Sequence, residues 1–255
     1  MADTLSPLHG KVALVTGASR GLGVEITRCL IDAGATVVMI ARDAAALSSV
    51  AADLGSRAVP MAADITDPSQ VRELFAKVQE RLGRLDILIN NAALGLPQRL
   101  ETTSDEDIQA QVQANLVGPM YCIRSAIPLM KGVGAGDIVS ISSDSVVLPF
   151  PLLSIYAATK AGVELMSRSL RSELALDNIR VSVLRAGHIA DTTFSKYWTP
   201  EQQATAFDVW GKTGHMALTS QQGAGMTPAV VAKAVLNMVT VGASGNMDLL
   251  EIRAR

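Results

Sequence analysis

Cysteine is nearly absent: Cys29 and Cys122 are the only two in 255 residues. Each lies in an apolar helical context with no metal-ligand spacing to a histidine, so both read as reduced core thiols rather than parts of a disulfide framework. Histidine is as scarce, and His9, His188 and His215 lie too far apart in sequence to form a metal motif, so no metal is expected. Long hydrophobic runs are missing as well. Although 49% of residues are hydrophobic and mean hydropathy is +0.29, no uncharged apolar run reaches the length of a membrane span. Neither sign of charge dominates: 22 basic residues are scattered among 24 acidic ones. That leaves no electrostatic footprint for nucleic acid or an anionic membrane, and a small molecule is the partner that remains. The stretch Met1 to Lys11 lacks the basic, apolar and small-residue regions of a signal peptide, which points to the cytoplasm. No Pro/Ser-rich linker or block of charge divides the chain, so residues 1–255 are expected to form one α/β domain.

What is present is an alternation of apolar strands and helical segments. It predicts a doubly wound parallel sheet with helices on both faces, the Rossmann arrangement. The first strand, Val12-Ala13-Leu14-Val15, runs into Thr16-Gly17-Ala18-Ser19-Arg20-Gly21-Leu22-Gly23, after which a helical pattern extends to Ala33. Glycines between a strand and a helix let backbone N–H groups approach a pyrophosphate, whose charge faces the positive end of the helix dipole. The second strand, Thr36 to Ala41, ends at Arg42. A carboxylate there would suit an unphosphorylated adenine ribose, whereas Arg42, with Arg20 approaching from the glycine turn, suits a 2′-phosphate. NADP is therefore expected over NAD, although Asp43 follows directly. Asp64-Ile65 closes the third strand, where an adenine can be flanked, and Asn90-Asn91-Ala92-Ala93 closes the fourth. Asparagine amides at such a strand end can tie neighbouring strands together and line a crevice.

Tyr156 and Lys160 stand four residues apart at the start of a helical run that extends to Leu176, so phenol and ammonium share one helix face. A fixed cation beside a phenol favours the phenolate and lowers a pKa of about 10. Ser143, at the end of the apolar strand Asp137 to Ser142, can point its hydroxyl at an oxygen held before Tyr156. Asn115 falls in the middle of a long helical segment from Ser104 to Met130, where asparagine is disfavoured unless it binds a water or bends the axis. Regularity lapses between Gly187 and Pro228, a segment holding Phe194, Tyr197, Trp198, Phe207 and Trp210. Residues 188–227 read as a substrate lid, with a subunit contact as the competing explanation.

In this order, the glycine turn, the paired asparagines, Asn115, Ser143 and Y-x-x-x-K resemble the short-chain dehydrogenase/reductase family almost end to end. The resemblance implies an NADP-dependent oxidoreductase that interconverts a secondary alcohol and a ketone by hydride transfer. It implies that Tyr156 is the acid/base, that Lys160 lowers its pKa and holds the nicotinamide ribose, that Ser143 positions the substrate oxygen, and that Asn115 supports a water in a proton relay. It also places Gly17, Ser19, Arg20, Gly21, Leu22 and Gly23 at the cofactor phosphates, Asp64 and Ile65 by the adenine, Asn91 and Ala92 by the nearer ribose, and Ile189 at the nicotinamide amide. Three positions depart from the family pattern: Ala93 replaces a glycine, Ala186 replaces a proline, and the loop threonine falls one residue late, at Thr192, with Asp191 in its place. The resemblance further implies a dimer or tetramer associating through the helices that begin near Ser104 and Ile155. A protein of the same fold that senses a dinucleotide without turning over is the alternative, and intact Ser143, Tyr156 and Lys160 count against it. Enoyl reduction goes with a longer Tyr-to-Lys spacing. The apolar residues Leu148, Phe150, Leu152 and Leu153 incline the substrate toward a bulky hydrophobic compound.

Overall fold

The computed structural model describes residues 6–190, 192–217, 225–242 and 244–254; Asp191 and part of the 188–227 segment lie outside them. Seven strands form one parallel sheet: β1 (Val12–Thr16), β2 (Thr36–Ala41), β3 (Ala58–Ala62), β4 (Ile87–Asn90), β5 (Gly136–Ser143), β6 (Ile179–Ala186) and β7 (Leu249–Ile252). Their order across the sheet is β3-β2-β1-β4-β5-β6-β7. The order reverses between β1 and β4, so the chain leaves these neighbouring strands in opposite directions and opens a crevice at their carboxyl ends.

The central strands are buried on both faces, which is why they read as unbroken apolar runs rather than alternating ones. On one face, β1, β2 and β4 pack against α1 (Gly21–Asp32) and a last helix, Pro228–Thr240, through Ile26, Leu30, Val231 and Val235. On the other, Leu14, Leu88 and Ile138 meet α3 (Pro68–Leu82) and α5 (Gly118–Val133).

Helix starts follow side-chain chemistry. Asp43 accepts from Ala46 N–H to open α2 (Ala44–Leu54), and Asp67 accepts from Ser69 and Gln70 N–H ahead of Pro68. At the opposite end of the sheet from the crevice, Asp86 joins β4 to β1 by accepting from Val12 N–H at 2.9 Å and from Lys11 and Arg84.

Three local departures from the sequence reading have clear causes. The segment from Ser104 is not one helix: α4 (Asp105–Val112) passes through a wider turn, Gln113–Val117, before α5 begins, and Asn115 sits in that turn. The helix of Tyr156, α6 (Ser154–Glu173), ends before Leu176, where a tighter turn, Ala175–Asp177, leads to Asn178 in the left-handed region. Within the irregular 188–227 segment lies a regular helix, α7 (Pro200–Lys212), opened by a reciprocal cap between Thr199 and Gln202.

Candidate active site

The glycine turn is shaped by contact as much as by conformation. Gly17 and Gly21 have φ of 68° and 51°, and a Cβ on Gly23 would lie 2.1 Å from the Gly17 carbonyl oxygen. Only glycine fits such an approach. Asn91 braces the turn from the next strand: its Nδ2 donates to Thr16 O at 2.9 Å and more weakly to Gly17 O at 3.4 Å. The tie expected of the paired asparagines therefore rests on Asn91, while the side chain of Asn90 is buried without a hydrogen bond in the structure.

A cavity of about 1490 Å³ runs from this turn along the carboxyl ends of the strands to Tyr156. Of the residues singled out from sequence, Gly17, Ser19, Arg20, Leu22, Gly23, Arg42, Asp64, Ile65, Asn91, Ala92, Ser143, Tyr156, Lys160, Ile189 and Thr192 all line it. Gly21 and Asn115 do not. Gly21 is the first residue of α1, while Asn115 is 1% exposed. Thr193, which the sequence reading passed over, faces Gly21 with its hydroxyl 3.5 Å from where a Cβ would stand there. Among the apolar residues expected beside the site, Phe150 and Leu153 line the cavity, whereas Leu148 and Leu152 do not. Leu152 holds a positive φ of 72° and packs into the aromatic cluster.

At the deep end, the Ser143 hydroxyl stands near enough to that of Tyr156 to act on its pKa, and Ser143 Oγ accepts from Ser145 N–H at 3.1 Å. Lys160 lies on the same helix face, with Nζ 5.6 Å from the centre of the Tyr156 ring, and donates to Ile141 O at 2.7 Å. The electrostatics correct the expectation that the lysine lowers the phenol pKa. Burial dominates and pushes Tyr156 up to about 12, the Ser143 hydroxyl opposing it only in part. Burial likewise brings Lys160 down to about 8. In this arrangement the phenol is a protonated donor.

Asn115 bonds to two neighbouring segments. Its Oδ1 accepts from Leu94 N–H and its Nδ2 donates to Leu94 O, both at 2.7 Å, and Nδ2 also donates to Thr159 Oγ1 at 3.1 Å. These bonds pin the loop after β4 against the helix that carries Tyr156 and Lys160. The wide turn aims the amide across that gap.

Residues 11–203 match the family model described as short chain dehydrogenase. The chain belongs to this family. It is 37% identical over 199 residues to a short-chain type dehydrogenase/reductase from Picea abies, covering 73% of each chain. Among solved structures, it is similar to the closed form of a serine dehydrogenase complexed with NADP+, with a TM-score of 0.84 and 29% identity over 95% of this chain and 94% of that one. A 3-ketoacyl-(acyl-carrier-protein) reductase from Brucella melitensis complexed with NADH gives a TM-score of 0.84 and 29% identity over 96% and 98% of the chains. For a short-chain dehydrogenase, the fit of a dinucleotide can be judged on the residues themselves: a glycine cradle that a Cβ would fill, two guanidinium groups at the tip of β2, and one continuous cavity leading from them to a buried phenol.

The buried lysine gives a stability prediction. Lys160 has a folded pKa of about 8 against an ordinary 10.5, so between these values the unfolded chain binds more protons and stability rises with pH. At neutral pH, desolvation of the ammonium costs on the order of 3 kcal/mol. Lys160→Met should remove that dependence. Melting temperatures of the two proteins compared from about pH 8 to 10.5, the window between those pKa values, should show the wild type gaining on the variant as pH rises; parallel curves would refute the assignment.

Proposed function

We propose that this short-chain dehydrogenase is an NADP-dependent oxidoreductase that interconverts a secondary alcohol and a ketone on a hydrophobic substrate. The observation that carries the reading is the single cavity with Arg20 and Arg42 at one end and the Tyr156 hydroxyl, beside Ser143, at the other. Neighbouring structures bound to NADP support the cofactor. Gly17, Ser19, Arg20, Gly21, Leu22 and Gly23 would hold its phosphates, Asp64 and Ile65 its adenine, Asn91 and Ala92 the nearer ribose, and Ile189 with Thr192 the nicotinamide end. When bound, the cofactor supplies or accepts the hydride.

The remaining chemistry belongs to the chain. In reduction Tyr156 gives its proton to the substrate oxygen, and Ser143 donates a hydrogen bond to that oxygen as charge develops on it. In oxidation Tyr156 takes the proton back. Lys160 lies close enough to favour the phenolate once its ammonium is drawn from Ile141 O toward the ribose. Asn115 positions both through Thr159 and Leu94. Residues 188–227 act as the lid, with Phe194, Trp198 and Trp210 forming an edge-to-face aromatic wall against Tyr156 and Phe150. That wall suits an apolar substrate. The exposed Met120 on α5 and Leu165 on α6 support association of two or four copies.

The test is to mix the protein with NADPH and a panel of aliphatic and aromatic ketones and follow nicotinamide absorbance. Turnover of apolar ketones is expected; binding of NADPH with no turnover of any carbonyl would favour the sensing alternative. Arg42→Asp should lower affinity for NADPH at least about tenfold relative to NADH, since it replaces a charge-assisted bond to the 2′-phosphate with repulsion. An unchanged affinity ratio in equilibrium titration would refute the role of the strand tip.

A further inference from the structure

The tip of β2 is already occupied by a side chain from far along the sequence. Tyr197 ends the short turn Phe194–Tyr197, and its phenol oxygen accepts a hydrogen bond from Arg20 Nη2, while the Arg20 guanidinium lies 4.8 Å from the centre of its ring. Arg42 stands near enough for its charge to act on the same phenol. Together the two guanidinium groups pull the Tyr197 pKa below its ordinary value, the Arg20 hydrogen bond contributing most. A neutral phenol is a poor match for two cationic forks that suit phosphate geometry. Its oxygen marks an anion position. As the acceptor of the Arg20 bond, the hydroxyl keeps a proton to donate.

We propose that Tyr197 is a specificity-determining residue for the 2′-phosphate of the cofactor: the phosphate takes the Arg20 bond over from the phenol and pairs with Arg42 as well, and the phenol then donates its O–H to the phosphate. The inference rests on the NADP reading and adds to it a third ligand that comes from the lid. The same turn reaches the substrate end. Phe194, its first residue, lies 5.2 Å ring to ring from Tyr156, and Trp198 just beyond donates from Nε1 to Gly95 O at 2.7 Å. The phosphate is thereby read by the segment that closes over the substrate, and a cofactor without it leaves Tyr197 on Arg20.

Tyr197→Phe keeps the ring over Arg20 and removes only the hydroxyl; the residue is 43% exposed, so folding should not depend on that group. Two probes differing only in the phosphate, 2′,5′-ADP and 5′-AMP, can be titrated calorimetrically into both proteins. The wild type should prefer 2′,5′-ADP, and the variant should lose about five- to tenfold of that preference, with 5′-AMP binding unchanged. A preference that is unchanged or larger in the variant would overturn the inference and leave the NADP reading standing. Absence of any preference in the wild type would overturn both.

Discussion

Tyr156→Phe is expected to lower ketone reduction at least about a hundredfold while leaving NADPH affinity within about twofold. The ring is buried and packed against Phe194, so phenylalanine preserves the shape of the site and removes only the proton donor. Because burial holds the phenol up to about 12, the form required for reduction is fully populated at neutral pH, and the reductive rate should be flat there. The oxidative direction needs the phenolate, so its rate should climb with pH across the same range. Steady-state profiles in both directions, with a separate cofactor titration, check this. A phenylalanine variant that turns over normally would remove Tyr156 from the reaction.

Gly23→Ala should be nearly as damaging to cofactor binding as the first change is to turnover. The added methyl would meet backbone rather than a yielding side chain: Gly17 O at 2.1 Å, Gly17 C at 2.8 Å and Asn91 Nδ2 at 2.9 Å. Relief requires the turn to move away from α1 and the Asn91 brace to loosen, which costs about 1–3 kcal/mol in overpacking. A displacement of about 1 Å at a phosphate cradle is expected to weaken NADPH binding on the order of a hundredfold. Gly132→Ala provides the contrast, since its Cβ would meet nothing within 4 Å and lies inside α5. That variant should bind NADPH normally and melt no lower, alanine being the better helix former by about 1 kcal/mol. Equal behaviour of the two variants would refute the cradle as the determinant.

The sequence made the glycine turn, the alternation of strands and helices and the Tyr156/Lys160 pairing legible because each rests on local spacing or an unbroken apolar run. It misled where a property depends on enclosure. Four-residue spacing makes phenol and ammonium neighbours, but nothing in Y-x-x-x-K says that both will be buried, and burial is what raises one pKa and lowers the other. Asn115 drew attention as a poor helix former; that it would widen a turn to grip the backbone of Leu94, 21 residues earlier, has no local sign. The helix α7 was announced by Thr199-Pro200-Glu201-Gln202, a start signal obscured by the aromatic residues around it. Tyr197 meets Arg20 across 177 residues, a juxtaposition that only the folded chain reveals.

The placement of β1 between β2 and β4 has a consequence for biogenesis. Its partner on one side begins some twenty residues after its own end, but its partner on the other arrives only with Ile87. A ribosome-bound chain that has exposed the whole glycine turn still lacks Asn91, the group that fixes the turn's shape. Nucleotide can therefore report on maturation, stabilising the chain only after the central strands have closed over one another.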